Sequence, residues 1–184
     1  MQRALVDQAK RGDTEAFDAL ARTVGDRCMA IAVRILRDTD RAEDAVQTAL
    51  ITAWRELRVL RDPDRFEPWL HRILTHACYA EARRRRQWAG QIRILPVEGT
   101  YGPDETTTIH DRDQVERAFR RLTLEQRAVL VFHHYLGLST SEVADRLDIP
   151  IGTVKSRLHH ATSAFRASLE ADARTPSVNQ ERPA

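Results

Sequence analysis

The sequence predicts an all-α protein: two small helical domains joined by a flexible linker, the C-terminal one carrying a helix-turn-helix. Three observations carry that prediction. Apolar side chains recur at steps of three and four through residues 1–87, the period vanishes over 88–112, and a capped helix, a tight turn and a helix with a polar face occupy 139–161.

The elements follow in order. Leu5, Val6 and Ala9 lead to Gly12, a C-cap, and Asp13 caps the next helix. That helix buries Phe17, Leu20, Ala21 and Val24 and is expected to stop near Gly25; Cys28, Ile31, Ala32, Ile35 and Leu36 form a third stripe. After Asp38-Thr39-Asp40 a fourth stripe holds Ala42, Val46, Ala49, Ala53 and Leu57. Asp62-Pro63-Asp64 breaks the chain, and Pro68 opens a helix expected to run to about Arg86. Over 88–112, Gly90, Pro96, Gly99, Gly102, Pro103 and the run Thr106–Thr108 erase every period, which reads as a linker. Helical pattern resumes with Val115, Ala118, Phe119 and Leu122, and Thr123 with Gln126 forms a capping box for a helix reaching toward Gly137. Residues 171–184 read as a disordered tail.

Composition narrows the class. With 184 residues, 42% hydrophobic and 30% charged, wholesale disorder is excluded. No apolar run approaches the roughly 18 residues of a membrane span, the N-terminus lacks a signal peptide's apolar core, and Cys28 and Cys78 form no CxxC pair. A cytoplasmic protein without disulfides or membrane insertion is the expectation. The net charge is only +2, but it is uneven. Residues 81–93 carry five arginines against Glu81, whereas 94–112 hold four acidic residues against Arg112. A basic knot before an acidic linker points to contact with a polyanion at one place.

The sharpest motif is STSEVADRLDIPIGTVKSRLHHA, residues 139–161. Ser139 and Glu142 form a capping box, Asp148 suits a left-handed turn position, Ile149 plugs the angle and Pro150 starts the second helix. That helix buries Val154, Leu158, Ala161 and Phe165. Its other face presents Gly152, Thr153, Lys155, Ser156, Arg157 and His159. Small polar groups followed by cations suit a helix inserted N-terminus first into the major groove, and Ser139 and Thr140 are counted with this DNA-binding set.

This segment, with LTLEQRAVLVFHHYLGLSTSEVADRL before it, resembles the C-terminal domain of sigma-70 family factors. RAEDAVQTALITAW followed by FEPWLHRILTHACYAEARRRR is similar to their N-terminal core domain. Two such domains and nothing else resemble the extracytoplasmic-function (ECF) subfamily. The resemblance covers about residues 3–170. It implies a bacterial RNA polymerase sigma factor, with region 2 at 1–87, a linker at 88–112 and region 4 at 113–170. Region 2 would bind the β′ clamp helices of core polymerase and the promoter −10 element, including its unpaired strand. Region 4 would bind the −35 element as duplex, and the β flap. No enzyme activity and no cofactor are implied, and an anti-sigma partner is a habit of the family.

Asp44, Gln47, Leu50, Ile51 and Arg55 match the family's polymerase-binding helix, with Thr48 and Leu50 departing from its usual glutamate and aromatic; Trp54 reads as core. Trp69, Arg72, His76, Tyr79 and Arg83 follow at steps of three and four and share one side of the helix after Pro68, with Arg84 next to them. Aromatic and basic groups together suit single-stranded DNA. His76 stands where resembling proteins carry asparagine in W-L-x-R-I-x-x-N, so a changed base preference is expected. The competing reading is a helix-turn-helix regulator with an unrelated helical N-terminal domain. The seven histidines include the adjacent pairs His133-His134 and His159-His160, whose side chains diverge on a helix, and no metal site is expected.

Overall fold

A computed structural model describes residues 2–91, 115 and 117–174, and among these there is no strand. Gly12 (φ +98°) reverses the chain after α1 (Gln2–Lys10), and the Asp13 carboxylate accepts from Ala16 N–H to cap α2 (Thr14–Leu36). The expected stop at Gly25 does not occur: α2 runs straight through it. A helical glycine costs about 1 kcal/mol relative to alanine. The buried stripe Leu20, Val24, Cys28, Ile31 and Ile35 stays in phase across Gly25, so one continuous apolar face outweighs that cost.

Asp38 caps α3 (Thr39–Glu56), whose buried alanines 42, 45, 49 and 53 let it lie close to α2 and α4. Two short 3₁₀ turns, Leu57–Val59 and Pro63–Arg65, lead into α4 (Phe66–Gln91). Pro68 sits in the first turn of α4, where its missing donor has no intrahelical partner to lose, and the helix extends past the expected Arg86. The linker and tail expectations fall outside the described residues.

Residues 117–120 are helical, and the Thr123–Gln126 box opens α5 (Leu124–Leu130). The chain then widens into a π turn, Val131–Tyr135, closed by Leu136 N–H donating to the Val131 carbonyl (3.0 Å). α6 (Thr140–Leu147) and α7 (Ile151–Arg174) complete the order. The main core is shared by both halves: Leu20, Ile31, Phe66, Leu70 and Leu74 join Phe132, Val143, Leu147 and Val154 in one buried cluster. Leu122, Leu130 and Ala161 make a smaller one with the edge-to-face rings of Phe119 and Phe165. α4 packs on α6, and α2 on α5.

Candidate nucleic-acid and polymerase interfaces

Local hydrogen bonds fix the helix-turn-helix. Ser139 Oγ accepts from Glu142 N–H (3.3 Å), while the Glu142 carboxylate accepts from Ser139 N–H (2.9 Å) and Oγ (2.7 Å). Those donors hold the Glu142 carboxyl below its ordinary pKa. Asp148 adopts the left-handed conformation (φ 54°, ψ 49°), which a short polar side chain tolerates, and ends α6 by donating to the Ala144 carbonyl. Pro150 is the residue before α7 and not its first helical one; its carbonyl accepts from Thr153 and Val154 N–H.

On α7, Val154 and Ala161 are buried, with Leu158 and Phe165 half-buried behind them. Gly152, Lys155, Ser156 and His159 are exposed, as is Ser139, whereas Thr153, Arg157 and Thr140 are half-buried. Arg157 is therefore less open than the sequence pattern implies. It lies close enough to Tyr79 on α4 for its charge to act on the phenol. The Tyr79 hydroxyl is buried without a hydrogen-bond partner, and burial pushes its pKa up to about 12 against the opposing pull of Arg157.

The face of α4 divides. Arg72, His76, Arg83 and Arg84 are exposed; Trp69 and Tyr79 are half-buried against the core, with Trp69 leaning on Phe66. Arg84 already forks between Asp44 (3.3 Å) and Glu81 (3.0 Å), which ties α4 to α3. Arg72 faces Asp148 at 3.8 Å.

On α3, Asp44, Gln47, Ile51 and Arg55 are exposed and Leu50 is half-buried. Leu50, Ile51 and Trp54 form one wall of an apolar groove of about 360 Å³ whose other wall is Thr14, Phe17, Asp18 and Ala21 of α2. Trp54 is half-buried and packs on Phe17 with ring centroids 5.0 Å apart, so it belongs to both core and groove. The α2 wall carries no sequence signal, because it becomes part of the site only when α2 and α3 pack.

His71 also escaped the sequence reading. It is 2% exposed, its ring meets Phe132 edge-on (5.6 Å), and its Nδ1 accepts from Arg146 of α6 (3.3 Å). Burial first, then the charges of Arg146 and Arg27, push its pKa down to about 4. The folded state thus binds fewer protons than the unfolded chain between pH 6.5 and 4. Stability is full above pH 6.5 and falls with acidification across that window, by up to about 3 kcal/mol. Chemical denaturation at stepped pH should show this loss, and His71→Gln should remove its one-proton slope.

Burial also pushes the Cys28 and Cys78 thiols up to about 12, which leaves them neutral and unreactive. Among the described residues no three His, Cys, Asp or Glu side chains are placed to hold a metal ion.

Comparison with known proteins places both halves of the chain in one family. The family model for sigma-70 region 2 matches residues 20–88, and that for sigma-70 region 4 matches residues 112–164. The ECF RNA polymerase sigma factor SigL of Mycobacterium tuberculosis is 35% identical over 167 residues, covering 86% of this chain and 94% of its own. The chain belongs to the ECF group of sigma-70 factors. As an ECF sigma factor it directs RNA polymerase to initiate transcription at promoters, a DNA-binding regulatory role. Two solved structures share its fold. CnrH, in complex with the cytosolic domain of CnrY, superposes with a TM-score of 0.66 at 26% identity, covering 93% of this chain and 98% of CnrH. The sigma factor RpoE of Bartonella quintana, in complex with the anti-sigma factor NepR, gives 0.71 at 24% identity, covering 86% of this chain and 99% of RpoE. No described helix of this sigma factor is long and apolar enough to cross a membrane.

Proposed function

We propose that this sigma factor divides its work among three surfaces: the α2–α3 groove docks core polymerase, the exposed side of α4 reads the −10 element, and the outer face of α7 reads the −35 duplex. Residues 1–87 would serve as region 2 and 113–170 as region 4. The observation that carries the assignment is the α7 face: Gly152, Lys155, Ser156 and His159 stand exposed directly after a capped, plugged turn. In the major groove Lys155 pairs with guanine or phosphate while Ser156 approaches the backbone closely. Ile51, 45% exposed, is the apolar anchor on the wall of the polymerase-docking groove, and Asp44, Gln47 and Arg55 stand exposed on the same helix as its polar complement.

On α4, Arg72 and Arg83 neutralise phosphates of the unpaired strand and His76 contacts a base edge. Trp69 and Tyr79 add stacking faces once they swing clear of the core. No reaction chemistry is assigned to the chain, and its place of work is the cell interior beside the polymerase. The anti-sigma factor found on the Bartonella relative supports a partner of that kind for this chain.

The residue-level test is His76→Asn, scored for initiation on promoters randomised through the −10 element. Asparagine's amide both donates and accepts, whereas imidazole is broader and gains a second donor only on protonation. The preferred base at one position should change while core affinity stays level. An unchanged preference profile contradicts direct readout by His76.

A further inference from the structure

Where α3 and α4 meet α5, guanidinium groups gather around an open cleft of about 530 Å³. Arg41 of α3, Arg85 of α4 and Arg127 of α5 line it, and Glu125 is the one acidic side chain on its described walls. Arg85 is exposed; Arg41 and Arg127 are half-buried. Arg41 pairs with the Asp38 carboxylate at 3.1 Å. The Arg127 Nε donor, by contrast, is buried without a hydrogen-bond partner. An unmade bond at a buried donor is costly, and more so on a charged group. Leu36, Leu122 and Leu124 lie among these charges and give the cleft apolar edges.

The cations crowd one another. Burial first, then the charge of Arg37, draws the Arg127 pKa down to about 10 against the opposing pull of Glu125. Arg41 is lowered as well, by burial and then by Arg85, with Asp38 and Glu81 pulling the other way and Arg84 adding to the fall. Guanidinium groups keep their charge at neutral pH, so an anion is what relieves such a cluster. The arginine fork matches phosphate oxygens in pairs. Three forks carried by three helices are better filled by linked phosphates than by a single one. The volume lies within the range of small-molecule sites, about 300–1,000 Å³.

We propose that this cleft binds a nucleoside di- or triphosphate, its linked phosphates held by Arg41, Arg85 and Arg127 and its base set against the leucine edges. Arg127 gains the acceptor that its Nε lacks. Glu125 opposes the anion, which limits affinity and gives the site a signature: removing that carboxylate strengthens binding. No bond is made or broken; the ligand binds and leaves unchanged. None of the residues assigned to promoter or polymerase contact lines the cleft, so the site is tested independently of those assignments.

The experiment titrates the free full-length chain with ATP, GTP, inorganic tripolyphosphate and orthophosphate, followed by calorimetry. A nucleotide should bind more tightly than tripolyphosphate, and orthophosphate at least about tenfold more weakly than either. Arg127→Met should weaken nucleotide binding about tenfold and Arg85→Ala about fivefold, whereas Glu125→Gln should tighten it about threefold. Arg127→Met exchanges a buried, unpartnered donor for an apolar side chain of similar length, so the melting temperature should not fall. If that variant fails to fold, Arg85→Ala and Glu125→Gln carry the same test. Arg22→Ala, exposed and about 21 Å along α2 from Leu36, should leave binding level. Affinity unmoved by the Arg85, Glu125 and Arg127 changes, or lowered as much by Arg22→Ala, overturns the site. Tripolyphosphate bound as tightly as the nucleotides overturns the role of the leucine edges. A grip on a random-sequence DNA duplex that depends on Arg85 and Arg127, with none on the nucleotides, makes the cleft a nucleic-acid contact and overturns the proposal.

Discussion

Replacing Ile51 by aspartate should weaken binding to core polymerase about 100-fold while leaving the helical spectrum and melting temperature nearly unchanged. The side chain stays 45% exposed on the wall of the α2–α3 groove, so a large part of it remains open to solvent in the fold, whereas a partner helix seated there would bury the rest. A carboxylate at a desolvated interface centre loses apolar contact and adds an unpaired charge, a combination typical of hot spots at about 2–4 kcal/mol. The neighbouring Thr48→Glu would restore the more usual residue of the family at an exposed position and should change affinity far less. Titration of labelled protein with core polymerase measures both. Equal affinity for Ile51→Asp and wild type would remove the groove from the docking surface.

The largest stability effect is expected at Phe132. Its side chain is fully buried, in the π turn between α5 and α6, and it is also the ring against which His71 rests. Phe132→Ala should cost about 3–5 kcal/mol, the range for emptying a large aromatic site in a core that cannot collapse around it. Denaturant unfolding followed by circular dichroism would show the midpoint shift. Because the cluster is shared by α4 and α6, the loss should appear in the N-terminal helices as well as in the helix-turn-helix. A shift confined to the C-terminal helices would mean that the two halves are energetically separate.

What the sequence makes legible is local. The boxes Thr123–Gln126 and Ser139–Glu142, the left-handed Asp148 and the cap at Asp13 are each decided by side chains within a few residues of the backbone groups they satisfy, and each is found where the pattern predicts. What is not legible is decided by packing. Gly25 looks like a stop but lies inside α2, because helix continuity there depends on the surface the stripe meets. The widening at Val131–Tyr135 has no composition cue, since it exchanges one hydrogen-bond register for another within an apolar run. The same division holds for the sites. The face of α7 follows from period alone, but the Phe17 wall of the groove, the half-burial of Arg157 and the clamp on His71 exist only where separate helices meet.

Reconstituted transcription decides whether this chain gives the polymerase its promoters: core RNA polymerase, a pool of promoter fragments and this chain, with start sites mapped with and without it. New, discrete start sites should appear that depend on the chain, share −10 and −35 sequences at fixed spacing, and disappear with Ile51→Asp. Start sites identical to those of core polymerase alone, in a reaction where the chain is folded and present in excess, would contradict promoter selection by this chain.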